Sequence, residues 1–324
     1  MNGTHISEIT ILGFGKLQDL KYFLFLLFLF IYLLTITGNA VIILLVSTNY
    51  RLQSPMYILL GNLSFSDVLL TTNIAPSMLN VTILGVSTVS LKSCIVQYLV
   101  YGGSACMECL LLTVMSYDRY LAICNPLHYT TIMDLKLCLY LVLCSWFLGF
   151  TATLIPVLIM QTLWFCGPNV IDHFFCDFVP LLELSCSDVS VAKYVVFALS
   201  SLATVLPFGF ITFTYVCIFM TILRITSVTG RQKTFSTCSS HLAVVCIYYG
   251  ALFAMYAVPS GQQSVAMKKV VSLMYTVVTP LLNPIIYSLR NQEIKLAIQK
   301  YLSVCRTSYR NLSKVKAEFQ SYPN

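Results

Sequence analysis

Met115-Ser-Tyr-Asp-Arg-Tyr-Leu-Ala-Ile-Cys-Asn-Pro-Leu-His-Tyr129 closes a long apolar run with an acid–base pair and then a proline-broken loop. About twenty-five residues before Asp118 carry one charge, Glu108, so Asp118 and Arg119 fall where a membrane-spanning helix meets water. Two roles fit an arginine there. It can anchor the helix end at the lipid headgroups. Alternatively, Asp118 can hold its guanidinium in a charge-assisted pair that a protein partner competes for, which biases one helix arrangement over another.

The rest of the chain agrees with a membrane setting. Of 324 residues, 58% are hydrophobic and only 10% charged, and the mean hydropathy is +0.82. A soluble domain would carry roughly a quarter charged residues, so this chain lacks a polar surface large enough to wrap it. Seven stretches are long enough to cross about 30 Å of hydrocarbon: Tyr22–Val46, Met56–Met78, Cys94–Ile123, Leu137–Ile159, Val195–Ile222, Ser239–Val258 and Val270–Leu289. The expected fold class is therefore an all-α membrane protein. It has an outer tail at 1–21, a seven-helix transmembrane domain at 22–289, and a short amphipathic helix with a tail at 290–324.

Thirteen of the lysines and arginines follow the first, third, fifth and seventh spans, and six lie at the opposite ends. The positive-inside rule then predicts an extracellular amino terminus and a cytoplasmic carboxyl terminus in a multi-pass plasma-membrane protein. The net charge of +7 bears on topology and anionic lipid rather than nucleic acid. The first twenty residues lack a basic region followed by an apolar core and a cleavage site, so the first span is expected to insert itself. Asn2-Gly-Thr4 is a glycosylation sequon on that tail; Asn62-Leu-Ser64 and Asn311-Leu-Ser313 match the pattern in a span and on the inner side, and Asn80-Val-Thr82 lies near the outer surface.

Cys94, Cys166, Cys176 and Cys186 lie on the outer side, Cys94 at the outer end of the third span, an even set that implies two disulfides among three possible pairings. His173 and Cys176 have a metal-like spacing, but a disulfide cysteine is a poor ligand. In the third span Cys94, Tyr101, Ala105, Glu108, Leu112, Met115 and Arg119 share one helix face, and Glu108 turns that face inward because an acid faces lipid only at high cost. Asp67 is the lone charge of the second span. If Asp67 and Glu108 face each other, either one is protonated or a cation such as sodium sits between them, with Asn39, Ser66, Thr279 and Asn283 as neutral oxygen sources. Pro280, Asn283, Pro284 and Tyr287 build a kink into the last span, and Pro207 and Pro259 mark further kinks or ends. Beyond it, Ile294, Ala297, Ile298, Tyr301 and Leu302 recur at helical spacing, the pattern of a helix lying on the inner membrane face, with Cys305 as an acyl anchor or an idle thiol. No nucleophile, base and orienter set or phosphate loop argues for an enzyme, and no internal repeat or filter pattern argues for a transporter or channel.

From Gly38-Asn39 to Lys295 the chain resembles the vertebrate odorant receptors of the rhodopsin-like seven-helix class. The resemblance is carried by Pro55-Met-Tyr57, Leu63-Ser-Phe-Ser-Asp67, the Met115–Tyr129 stretch, Lys233-Thr-Phe-Ser-Thr-Cys-Ser-Ser-His-Leu242 and Pro280-Leu-Leu-Asn-Pro-Ile-Ile-Tyr-Ser-Leu-Arg-Asn291. It implies pairs Cys94–Cys176 and Cys166–Cys186, and a switch of Asp118, Arg119, Tyr120, Tyr215, Asn283, Pro284 and Tyr287 that engages an olfactory stimulatory G protein to raise cyclic AMP. No cofactor is implied. It also implies a ligand cavity bounded by Tyr101, Gly102, Ala105, Cys106, Leu199, Ser200, Tyr249, Leu252, Phe253, Tyr256 and Thr276. Tyr249 replaces the tryptophan of many related receptors, and Thr214 departs from the usual Ser-Tyr pair. Tyr101 stands where amine receptors of the wider class carry an acid, so small neutral volatile molecules are the expected ligands, since a buried cation would lack a counter-ion. A receptor for a non-odorant metabolite would look the same in sequence.

Overall fold

The computed structural model describes residues 6–166, 168–257, 265–301 and 303. Seven long helices carry the architecture: α1 Lys21–Thr48, α2 Pro55–Leu84, α3 Leu91–Cys124, α4 Leu135–Met160, α5 Ser190–Arg224, α6 Val228–Ala257, and α7, which runs from Val265–Leu273 through a π turn at Met274–Val278 into Thr279–Arg290. Each expected span falls inside one of these helices, apart from Val258, which lies outside the described residues. Among the described residues six helices are long and apolar enough to cross a membrane. In α6 the apolar stretch is shorter, Cys238–Ala254, because the helix begins with polar residues such as Arg231 and Gln232.

Outward faces are greasy. Leu26, Phe30 and Leu33 of α1, Leu143 and Phe147 of α4, and Phe213 and Phe219 of α5 are all exposed. Lipid tails are the solvent that matches such a belt, and packing then depends on close shape fit rather than on hydrophobic contrast. Gly149 shows this fit. A Cβ there would lie 2.8 Å from the Met107 amide nitrogen and 3.0 Å from the Gly103 carbonyl, so α3 and α4 cross backbone to backbone.

Among the described residues the bundle holds a small apolar cluster around Ile218, Ile222 and Cys238 and two large ones. One lies at the end bearing the disulfides, around Tyr98, Met160, Phe174 and Leu181. The other lies at the opposite end, around Leu59, Met115, Tyr248 and Tyr287. Both disulfides are closed as Cys94–Cys176 and Cys166–Cys186. The same end also carries a three-stranded sheet in the order β2-β1-β3, formed by β1 Glu8–Ile11, β2 Ser87–Ser90 and β3 Val170–Ile171. Strand β1 pairs antiparallel with β2, Glu8 opposite Ser90, and parallel with β3, Thr10 opposite Val170. Ile9 and Ile11 point into the core and are fully buried. The segment read from sequence as a polar tail is thus a lid strand; four residues with two isoleucines gave too short an alternation to register.

Lys269 pins this lid. Its Nζ donates to the Gly13 carbonyl and to Asp172 Oδ1, joining α7, the β1 segment and the long loop before α5. Beside it, His173 is buried against Phe174 and Phe175 and meets Ser272 Oγ at 3.3 Å. Burial, reinforced by the Lys269 charge, pushes the His173 imidazole down to about 3, so it stays neutral.

After α7 a further helix covers residues 292–301. Its apolar face is turned to the protein: Ile294 and Ala297 are buried in the second cluster, with Ile298 packed against it, while Tyr301 is exposed. Leu302 and Cys305 lie outside the described residues. Asn80 sits within α2 and donates to Ser87 Oγ at 2.9 Å, a poor setting for a glycan; Asn2 is outside the described residues.

Candidate functional site

A cavity of about 240 Å³ opens between α3, α4, α5, α6 and the loop after Cys176. Tyr101, Gly102, Ala105 and Cys106 of α3, Leu199 and Ser200 of α5, and Leu252 of α6 line it. Seven of the sequence-derived pocket residues are therefore together. Three others stand elsewhere. Tyr249 and Phe253 line a separate groove between α5 and α6, with Phe208. The inward stripe of α6 runs His241, Val244, Val245, Tyr248 and Leu252, and this 3.6-residue rhythm puts Tyr248 rather than its neighbour on the cavity. Thr276 donates to the Ser272 carbonyl and faces a narrow void beside Thr35 and Thr71. It lies within the π turn, whose extra residue rotates the face of α7, and Tyr275 instead meets Tyr101, hydroxyl to hydroxyl at 2.7 Å. The Tyr256 side chain is outside the described residues.

The cavity includes polar groups that the sequence did not single out. Thr153 comes from α4, Thr204 from α5 and Tyr248 from α6. Asp177 comes from the loop, next to Cys176. Its Oδ1 accepts from the Phe178 amide at 2.7 Å and starts the single turn Phe178–Leu182. Burial pushes the Asp177 carboxyl above the usual carboxylate range, against the pull of that amide. A signal for it existed: once Cys176 is tied to Cys94 at the head of α3, the next residue must lie over the bundle.

Below the cavity a buried polar core joins the helices. Asn283 Nδ2 donates to both Asp67 oxygens at 2.9 and 3.2 Å, and Ser66 Oγ donates to Glu108 Oε1 at 3.1 Å. Asp67 and Glu108 lie within electrostatic reach of one another. Asn39 Nδ2 donates to the carbonyls of Thr35 at 3.0 Å and Pro280 at 3.1 Å, holding α1 to the kinked part of α7, where Pro284 packs on Gly38. Asn39 Oδ1 is buried without a partner among the described residues.

At the end opposite the disulfides, Asp118 is fully buried. Arg119 binds it through Nε at 2.9 Å and through Nη2, and Tyr129 donates to the other oxygen at 2.8 Å. The arginine is thus held in a pair and does not reach out as a headgroup anchor. Tyr215 stacks on His241 and its hydroxyl meets His241 Nδ1 at 2.6 Å, closing α5 to α6. Tyr120 packs against Ile218, Ile222 and Cys238. Tyr287 is fully buried, and its hydroxyl and His241 Nε2 have no hydrogen-bond partner among the described residues. Thr214 bonds its own helix at Ile211, so that departure leaves no polar group stranded. Tyr129 and His241 lay inside quoted motifs, yet nothing in the spacing alone tied them to Asp118 and Tyr215.

The family model for olfactory receptors matches residues 28–304. The chain belongs to the olfactory receptor family. Human olfactory receptor 11A1 is 44% identical to it over 302 residues, covering 93% of this chain and 96% of that protein. Rat olfactory receptor 1f45 is 44% identical over 303 residues, covering 94% and 97%. The crystal structure of squid rhodopsin superposes with a TM-score of 0.67 at 17% identity, over 90% of this chain and 87% of that one, which bears on the fold alone. As an olfactory receptor the protein is a membrane-spanning G-protein-coupled receptor for small molecules and not an enzyme.

Proposed function

We propose that this receptor binds small, largely apolar volatile molecules in the cavity beneath the loop after Cys176 and activates a stimulatory olfactory G protein, raising cyclic AMP. The carrying observation is the α3 stripe, which runs from the Cys94 disulfide past the cavity wall at Tyr101 and Ala105 to the closed Asp118–Arg119 pair. A ligand that biases the upper end of α3 against α5 and α6 acts on the same rigid element that carries the lower latch. The lid is taken to face the exterior and the 292–301 helix the cytoplasm, an orientation that the lysine and arginine distribution supports; the exposed Leu296 and Tyr301 offer that helix an edge for lipid.

Asp67, Glu108, Ser66 and the unpartnered Asn39 Oδ1 would supply the oxygens that a hard cation such as sodium takes; a shared proton serves the same two acids. Sodium dependence of the ligand response, present in the wild type and absent in Glu108→Gln, decides for the ion.

The test of function is cyclic AMP in cells carrying the receptor, across an odorant panel, beside Arg119→Ala at matched surface level. A dose-dependent rise lost in the variant supports the reading. A signal that persists in Arg119→Ala, or solute flux in its place, rejects it.

A further inference from the structure

The expectation of a neutral ligand rests on the missing acid at Tyr101, yet the fold brings an acid to the cavity from another element. Asp177 lines the roof, one residue beyond the disulfide that fixes its position. Among the described residues the ion pairs are Asp118–Arg119 and Asp172–Lys269, so this carboxyl faces the cavity without a cation. One oxygen takes the Phe178 amide; the other has no hydrogen-bond partner among the described residues.

The walls repeat this bias. Tyr101 gives its hydroxyl proton to Tyr275 at 2.7 Å, Tyr248 to the Ala105 carbonyl at 2.7 Å, Thr153 to Gly149 at 3.3 Å and Ser200 to Phe197 at 3.3 Å. Each hydroxyl oxygen remains an acceptor while its donor is spent. Thr204 also lines the cavity, so a ligand carbonyl or ester oxygen meets one hydroxyl able to donate and otherwise acceptors, whereas a ligand O–H or N–H is satisfied at several points.

We propose that the cavity selects apolar molecules with a hydrogen-bond-donor head group, alcohols and above all protonated amines, held by the Asp177 carboxylate. This inference rests on the cavity being the ligand site and goes further by naming the head group.

The test is the cyclic AMP response to matched eight-carbon series, straight-chain and cyclohexyl, each as alcohol, primary amine, ketone and methyl ester, in wild type and Asp177→Asn. Asparagine keeps an oxygen for the Phe178 amide, and surface staining reports folding. The alcohol and amine are expected to be active, with ketone and ester about ten- to a hundredfold weaker, the range of one hydrogen bond to a charged group. Asp177→Asn should weaken the amine by about that factor and the alcohol less. Ketones as potent as alcohols, or a ranking unchanged in Asp177→Asn, overturns the inference. If no compound signals from surface-expressed receptor, the functional reading fails separately. Thermal stabilisation of the purified wild-type receptor by the same compounds then decides the head group: no advantage of amine and alcohol over ketone overturns it.

Discussion

Asp118 is the residue on which the resting arrangement depends most directly. It is fully buried and accepts three hydrogen bonds, two from Arg119 and one from Tyr129. Replacing it with Asn keeps the shape and removes the charge, so the arginine loses the partner that holds it back along α3. A hydrogen bond to a charged group contributes about 1.5–3 kcal/mol. At about 1.4 kcal/mol per tenfold, that shifts a two-state equilibrium about 10- to 150-fold. A receptor active about 1% of the time without ligand would become active roughly 10–60% of the time. Basal cyclic AMP at matched surface level should therefore rise strongly in Asp118→Asn. Tyr129→Phe removes one neutral donor, worth about 1 kcal/mol, and should give a rise of about fivefold. Basal signal unchanged or lower in Asp118→Asn at equal surface level, or larger in Tyr129→Phe than in Asp118→Asn, would refute the latch.

Other consequences follow from the lid and the packing. Lys269→Met leaves the Gly13 carbonyl and Asp172 unmatched and should cost about 1–3 kcal/mol locally, read as faster amide hydrogen exchange across residues 8–13 with the bundle unchanged. His173 is held neutral with its folded value lowered to about 3, so below about 6.5 the unfolded chain takes a proton that the folded one refuses. Its contribution is thus intact above pH 7 and falls as pH drops from about 6.5 toward 3, by at most about 1.4 kcal/mol per pH unit, and thermal melts should lose that slope in His173→Gln. Cys94→Ser opens a bridge with a sequence separation of 82 and Cys166→Ser one of 20; the chain-entropy model gives about 4–5 and about 3 kcal/mol, so surface expression should fall further in the first. Gly149→Val should abolish surface expression because its side chain meets α3 backbone, whereas Gly209→Ala, with nothing within 4 Å of the added carbon, should leave it intact.

The seven helices were legible because a membrane demands long apolar runs, a constraint strong enough to be read one segment at a time. The Asp118–Arg119 pair was legible for the same reason, since charges at the end of such a run stand out. What escaped was short or depended on several elements at once. The β1 strand has four residues and owes its existence to partners about 80 and 160 positions away. Tyr248 was hidden behind Tyr249 because adjacent tyrosines on a helix differ only by a 100° turn, and only the stripe through His241 and Val245 chooses between them. Ile294 and Ala297 have the pattern of a membrane-surface helix, yet they pack on the bundle; periodicity reveals an apolar face but not what covers it.

Asp177 shows how a local reading of charge misleads in a loop. The argument from Tyr101 asked only which side chain α3 places at one depth, and found no acid. A cavity is bounded by whatever the fold brings to it, and here a disulfide joins Cys176 to the start of α3, which carries the following carboxyl over the opening. The residue beside a bridged cysteine is fixed in space nearly as firmly as a helix residue. Ligand charge preference should therefore track substitutions at Asp177 more closely than substitutions at Tyr101, whose hydroxyl is engaged by Tyr275.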